Sequence, residues 1–190
     1  MACHKSPLYG TMMVRYQIVA YGPNPITLSE AKLFLKVDAT ADDSVISNII
    51  NQVTLFAEAH TRRELRPNQW YGLTESFDSV LNKNPVSQIH QIDYIGKNGS
   101  TSIVPSSTYQ LKKNTLQSEV ILSYGESWPT DTGYNVDPIR ISFSTSANSM
   151  LPVVKQDMLR HISWEYENRG DDSDDYDRTR FYLASAIPNI

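Results

Sequence analysis

The chain has 190 residues, of which 40% are hydrophobic and 10% aromatic, and this composition excludes a largely disordered protein. Its 17 basic and 21 acidic residues give a net charge of −4, which argues against a dedicated DNA or RNA reader but not against a passive conduit for DNA. The single cysteine, Cys3, excludes an internal disulfide framework and a multi-cysteine zinc site. Because no signal peptide or membrane-spanning stretch is recognisable, we expect a soluble protein that works where it is made.

The first predicted elements are a short strand and a short helix. Apolar residues at alternate positions from Val14 to Ala20 predict the strand. Thr27 and Glu30 have the spacing of a capping box, which predicts a helix that runs to about Lys36. We expect the inward face of this helix to carry Leu28, Ala31, Phe34 and Leu35.

A second helix is predicted from a longer apolar stripe. Residues 40–43 repeat the cap chemistry, with Asp42 and Asp43 near the positive end of the helix dipole. The stripe predicts a long amphipathic helix that ends near residues 62–65. Its expected buried positions are Val45, Ile46, Ile49, Ile50, Val53, Phe56, Ala57 and His60.

Beyond Pro67 the apolar period changes to two, which is typical of β-strands. Only 12 of the 84 residues from 67 to 150 are charged, whereas a quarter of the 84 are Ser or Thr. Gly96 to Gly99 has the composition of a hairpin turn. The predicted strands are residues 70–77, 86–95, 101–104, 109–111, 119–122 and 139–143.

A third helix is predicted from Pro152 to a stop at Gly170, and an acidic stretch and an apolar segment follow it. Its expected buried face holds Val154, Met158, Leu159, Ile162 and Tyr166. Helical flanks around a strand-rich middle predict an α+β fold class.

The sequence contains few motifs that carry known chemistry. The four histidines are spread over separate elements, and no phosphate-binding loop, dinucleotide fingerprint, nucleophile elbow or H-E-x-x-H motif is present. We therefore expect no enzyme, no cofactor and no metal. The densest charge cluster lacks the glycine and closing glutamate of a calcium loop, which favours a solvated acidic loop or a contact with a basic partner. That cluster consists of Asp171, Asp172, Asp174, Asp175 and Asp177.

A small basic group, Arg62, Arg63 and Arg66, falls at the end of the second helix. These arginines are placed either to complement the helix dipole or to contact a partner. A less favoured alternative to a non-enzymatic protein is a metal-dependent hydrolase that uses the acidic cluster of residues 171–177.

Several motifs resemble, in order, those of the tailed-phage head–tail connector (adaptor or head-completion) family. Residues 26–38 resemble its opening I-T-L-x-E-A-K-x-x-L-x-V-D helix, and residues 61–65 its T-G-R-x-L corner, with Arg62 in place of the glycine. Residues 85–94 resemble its P-V-x-x-I-x-x-I-x-Y strand, and residues 151–169 its final helix, which closes with W-Y-E-N-R. The resemblance covers residues 26–170.

The resemblance implies a helical core formed by N- and C-terminal helices with an inserted antiparallel β region. With the segments on either side of the match, the chain has five expected parts. Residues 1–25 are an N-terminal extension, residues 26–66 begin the helical core, and residues 67–150 form the inserted β region. Residues 151–170 supply the C-terminal helix of the core, and residues 171–190 form an acidic loop and a docking segment.

The resemblance also implies a structural neck protein that forms a ring under the portal, usually of twelve copies. Such a ring extends the DNA channel, contacts genomic DNA passively and provides the platform for a stopper or tail-completion protein. It would belong to the virion after assembly in the bacterial cytoplasm. A stopper or tail-completion protein of the same neck is the main alternative.

The resemblance further implies that the C-terminal segment docks on the portal. Read from the residues alone, the same apolar segment could equally fold back on its own core. The candidate docking residues are Phe181, Tyr182, Leu183, Ile187 and Ile190.

Overall fold

A computed structural model describes residues 14–114, 117–133, 136–146, 152–169 and 177–182. Over these residues the chain has the predicted α+β fold, with a helical core built from N- and C-terminal helices and an inserted antiparallel β region. It divides into two compact units. The helical unit takes the described residues of 20–68, 83–85 and 145 onward, and the β unit takes those of 14–19, 69–82 and 86–144.

Helix α1 (Leu28–Leu35) begins with the predicted capping box. The Thr27 hydroxyl accepts a hydrogen bond from the Glu30 amide at 3.2 Å, and the Glu30 carboxylate accepts one from the Thr27 amide at 3.0 Å. The helix ends where Lys36 adopts a left-handed conformation. Phe34 was expected inside but is 38% exposed, because the buried side of this short helix is centred on Ala31.

Helix α2 (Asp43–Thr61) is the longest element. It ends at Thr61, earlier than predicted, because Arg62 takes a left-handed φ of 54° that cannot continue a helix. The predicted cap at its start is wrong: Asp42 is the N-cap residue but its side chain bonds no helix amide. Val45, expected inside, is 38% exposed.

Helix α3 (Pro152–Glu167) completes the helical core, and a short 3₁₀ helix (Arg178–Tyr182) packs against α2 and α3. The predicted faces of α2 and α3 meet in this core, which explains why both helices form although neither is strongly apolar overall. Its most buried side chains include Ile26, Ile46, Ile50, Val53, Met158, Ile162 and Tyr182.

The β unit contains a five-stranded sheet and a three-stranded sheet. The first has the order β1-β2-β8-β4-β5 and the second the order β3-β7-β6. Their strands are β1 (Arg15–Ala20), β2 (Gln69–Thr74), β3 (Ser79–Leu81), β4 (Val86–Ile95), β5 (Thr101–Ile103), β6 (Tyr109–Lys113), β7 (Ser118–Leu122) and β8 (Ile139–Thr145). Strand β1 lies in the segment predicted to be an extension, and it forms one edge of the larger sheet.

The predicted strand over residues 70–77 is wrong in its second half. Strand β2 stops at Thr74, whose hydroxyl accepts a hydrogen bond from the Ser76 amide at 3.2 Å. Such a local side-chain-to-backbone bond competes with the sheet ladder and turns the chain. Strand β3 then begins at Ser79 and joins the other sheet, where Val80 lies opposite Glu119.

The predicted turn between β4 and β5 is confirmed. The Gly99 amide donates to the Gly96 carbonyl at 2.8 Å, and Gly99 has a φ of +79° that glycine adopts without strain. In the described ranges, no helix is long and apolar enough to cross a lipid bilayer.

Candidate assembly site on the helical unit

The C-terminal 3₁₀ helix packs two aromatic side chains onto the chain's own core. Tyr182 is fully buried, and its ring centre lies 5.9 Å from those of both Phe56 and His60 on α2. Phe181 stacks on His161 of α3 at 4.9 Å with an angle of 16° between the rings. Of the two predicted alternatives for the end of the chain, the structure describes the folded-back one for Phe181 and Tyr182.

A chain of polar contacts fixes this packing. His161 Nε2 lies 3.2 Å from Glu165 Oε1, and its Nδ1 lies 3.1 Å from the Tyr182 hydroxyl. Because an ionised carboxylate can only accept, Nε2 carries the proton and Nδ1 accepts from Tyr182. Arg178 Nε completes the chain by donating to Glu165 at 2.7 Å.

Burial sets the charge state of this chain of contacts. It lowers the pKa of His161, and the nearby Glu165 carboxylate offsets only part of that effect. Burial likewise raises the pKa of Tyr182. At neutral pH the His161 and Tyr182 side chains are therefore neutral. The formal charges among these four contacting residues are those of the Arg178–Glu165 pair.

A cavity of about 320 Å³ opens beside these contacts, where α2, α3 and the 3₁₀ helix meet. Its walls combine two apolar side chains of α2 with polar side chains from all three elements. The lining residues are Gln52, Val53, Phe56, His161, Glu165 and Arg178. The sequence offered one local signal for this site, the His161 and Glu165 pair at helical i,i+4 spacing.

The three arginines of the predicted basic group differ in burial. Arg66 is only 4% exposed, pairs with Glu58 through a 2.6 Å contact and lies over the Tyr21 ring at 4.5 Å. Its electrostatic contact is therefore internal. Arg62 is exposed, and Arg63 is half-buried, with its Nε atom buried.

The acidic residues fall in two places. Asp171, Asp172, Asp174 and Asp175 lie outside the described residues. Asp177 directly precedes the 3₁₀ helix and accepts hydrogen bonds from the Thr179 hydroxyl at 2.5 Å and the Thr179 amide at 3.0 Å, which lower the pKa of its carboxyl. Over the part of the chain that is described, no three metal-ligating side chains come together.

The candidate docking residues also divide. Phe181 and Tyr182 anchor the 3₁₀ helix, whereas Leu183, Ile187 and Ile190 lie outside the described residues. Phe181 and Tyr182 therefore attach the described end of the chain to the helical core, and the other three docking candidates follow them in the sequence.

A second contact links the start of α2 to the end of α3. The Tyr166 hydroxyl donates to Asp42 Oδ2 at 2.5 Å, and Arg169 contacts the same oxygen at 3.2 Å while lying over the Tyr166 ring. The Tyr166 bond, followed by that of Arg169, lowers the pKa of Asp42. This pairing explains why Asp42 does not cap α2.

Comparison with known protein families identifies the chain. Residues 25–182 match the model of the phage gp6-like head–tail connector protein family. The chain belongs to this family. It is a head–tail connector protein, a structural component of the virion neck, and neither the match nor the described residues support the hydrolase alternative. No curated protein matches the connector's sequence.

Solved structures share the connector's fold. One chain from the neck of an empty gene transfer agent particle, computed with C6 symmetry, has a TM-score of 0.73 at 13% identity, covering 93% of this chain and 97% of that one. A chain from the virion of a native gene transfer agent particle scores 0.70 at 15% identity, covering 92% and 96%. A chain from the neck of the native particle, computed with C12 symmetry, scores 0.63 at 16% identity, covering 94% and 97%.

Proposed function

We propose that this connector forms a ring of twelve copies beneath the portal of a tailed phage. The ring extends the DNA channel and provides the platform on which a stopper or tail-completion protein attaches. The family match over residues 25–182 carries this proposal. The C6 and C12 symmetries named for the similar neck structures support the ring.

The charge of the chain suits a channel wall. With a net charge of −4, a ring of such chains has no excess of cations to hold phosphates, so DNA slides past without being bound. Genomic DNA is therefore a passive contact. Assembly takes place in the bacterial cytoplasm, and the finished ring stays in the virion neck.

The C-terminal segment binds the connector to the portal. Phe181 and Tyr182 hold the start of this segment on the helical core. Leu183, Ile187 and Ile190 follow within eight residues and dock on the portal. Because Phe181 and Tyr182 are already fixed on the core, docking pays no entropic cost to order these two side chains.

The charged side chains left on the surface serve the other contacts. Arg62 and Arg63 lie where a partner can reach them. The run Asp171, Asp172, Asp174 and Asp175 is suited to a basic surface of the portal or of the next neck protein. Arg66 is committed to Glu58 and takes no part.

A binding experiment with two chain lengths tests this function. The full-length connector and a chain that ends at Tyr182 are each mixed with the portal protein of the same phage and examined by native mass spectrometry and negative-stain imaging. The full-length chain should co-migrate as a ring, and the shortened chain, with an unchanged melting temperature, should not bind. No co-migration of the full-length chain contradicts the proposal, and full binding by the shortened chain favours a stopper.

A further inference from the structure

The outward face of α2 carries a second stripe of side chains at helix-packing spacing. Val45, Asn48, Gln52, Leu55 and Ala59 follow one another at steps of three and four residues, and all five are exposed. From Ser44 to Ala57 the helix contains no Asp, Glu, Lys or Arg. We call these five residues the α2 seam.

Helix α3 provides the contrast within the same unit. Its exposed positions include Arg160 and Glu167, and charged residues of this kind are usual on the face of a helix in water. The α2 seam instead combines apolar side chains, 38% exposed at Val45 and 47% at Leu55, with uncharged amides. A stripe with this spacing and polarity is typical of a helix that packs against another helix.

A second uncharged patch lies on α1. Leu33 is 81% exposed and Phe34 is 38% exposed. Of its charged neighbours, Lys32 pairs with Asp43 at 2.6 Å and Glu30 pairs with Lys155, whereas Lys36 is exposed at the end of the helix. The α1 patch, Leu33 and Phe34, is itself apolar and can pack against the apolar side chains of the α2 seam.

We propose that the α2 seam of one copy packs against the α1 patch of the next copy in the ring. This inference rests on the proposed ring and names the surfaces that build it. Contact between two unlike patches of the same chain is heterologous, and such contacts repeat around an axis rather than pairing two copies. Polarity favours this occupant, because the five seam side chains carry no charge with which to hold DNA phosphates or a charged surface of the portal.

The size of the seam predicts when the contact forms. A helix of 19 residues is about 28 Å long, so a face 10 Å wide offers roughly 300 Å². A standard interface buries about 800 Å² on each partner. The contact is therefore too small to hold two free copies together, and it forms when the portal gathers many copies at high local concentration.

Disulfide trapping tests the pairing directly. In a Cys3→Ser background, Leu33→Cys and Leu55→Cys are introduced singly and together, and each chain is oxidised with and without the portal protein of the same phage. The double variant should give a ladder of covalent multimers only on the portal, and each single variant should stay monomeric. Dimers from Leu55→Cys alone indicate a two-fold contact, and an assembled ring without a ladder indicates other surfaces; either result overturns the pairing.

Charge insertion gives an independent reading. Leu55→Glu and Leu33→Glu should each reduce ring occupancy on the portal at least tenfold, while the control Gln156→Glu on the exposed face of α3 assembles normally. All three positions are exposed, so the melting temperatures should agree. Normal assembly by Leu55→Glu overturns the pairing alone, whereas failure of the unmodified chain to form a ring overturns the proposed function.

Discussion

His161 on α3 and Tyr182 at the end of the 3₁₀ helix share a hydrogen bond of 3.1 Å, and both side chains are almost completely buried. This contact attaches the C-terminal segment to the helical core. It also gives the proposed docking residues a fixed starting point. Its strength can be measured, because each partner can be changed separately.

Removing the Tyr182 hydroxyl should weaken the fold. Tyr182→Phe leaves His161 Nδ1 buried without its donor, which we expect to cost about 1–3 kcal/mol. Tyr182→Ala also empties the aromatic site and should cost about 3–5 kcal/mol. Urea unfolding measures both values, and Tyr124→Phe at an exposed turn is the matched control. Equal stability of Tyr182→Phe and the unmodified chain would show that the hydrogen bond contributes nothing.

Stability should depend on pH through His161. Because burial lowers its pKa in the folded protein, the unfolded chain takes up a proton first as the pH falls below about 6.5. The contribution of the neutral imidazole is therefore fully present above that pH and is lost progressively below it. The slope cannot exceed about 1.4 kcal/mol per pH unit for one proton.

The comparison that isolates this effect is between the unmodified chain and His161→Gln. Burial raises the pKa of Asp157, which acts in the opposite direction in acid, so one curve alone mixes the two groups. Between pH 7.5 and 5.5, the free energy of unfolding should fall more for the unmodified chain than for His161→Gln. Parallel curves would show that His161 does not titrate differently in the two states.

Replacing Arg62, which has a left-handed conformation, by glycine should stabilise the fold. A residue with a Cβ atom in this conformation destabilises the fold by about 1–2 kcal/mol, and glycine removes that strain. Part of the gain is lost because glycine gives the unfolded chain more conformational freedom. Arg62→Gly should therefore stabilise the protein by about 0.5–1 kcal/mol in thermal or urea unfolding. Arg63→Gly, next along the chain and without positive φ, should not; stabilisation by both would point to charge rather than backbone strain.

The buried pair of Arg66 and Glu58 should be sensitive to the loss of one partner. Their side chains are 5% and 11% exposed, so Glu58→Gln leaves a buried cation and should cost about 3–5 kcal/mol. The surface pair Lys112–Glu119, in which the lysine is 53% exposed, is the control. Glu119→Gln should change the free energy of unfolding by less than about 1 kcal/mol. Similar losses of unfolding free energy in Glu58→Gln and Glu119→Gln would contradict the stronger effect expected for the buried pair.

The elements that local sequence determines could be predicted well. The stripe of α2, the Thr27–Glu30 capping box and the Gly96–Gly99 turn depend on residues within a few positions of each other, and each was found in the predicted place. Strand β4 was predicted with its bounds because its turn follows directly. Local chemistry also ends β2, through the Thr74–Ser76 bond, although the strand predicted from the sequence continues to Phe77.

The contacts that depend on distant residues could not be predicted. Asp42 meets Tyr166 across 124 positions, and this pairing removes it from the cap that its position suggested. His161 meets Tyr182 only because the end of the chain folds back. The sequence predicts burial of Val45 because the apolar stripe of α2 is wide enough to include it. Which part of that stripe faces the core and which part faces outward depends on how the helices pack.

Electron cryomicroscopy of the phage neck tests the central claim most directly. A reconstruction of assembled particles should show twelve copies of this chain in one closed ring between the portal and the next neck protein, with residues after Tyr182 against the portal. Density for this chain at another level of the neck, or as separate copies without mutual contact, would contradict the account.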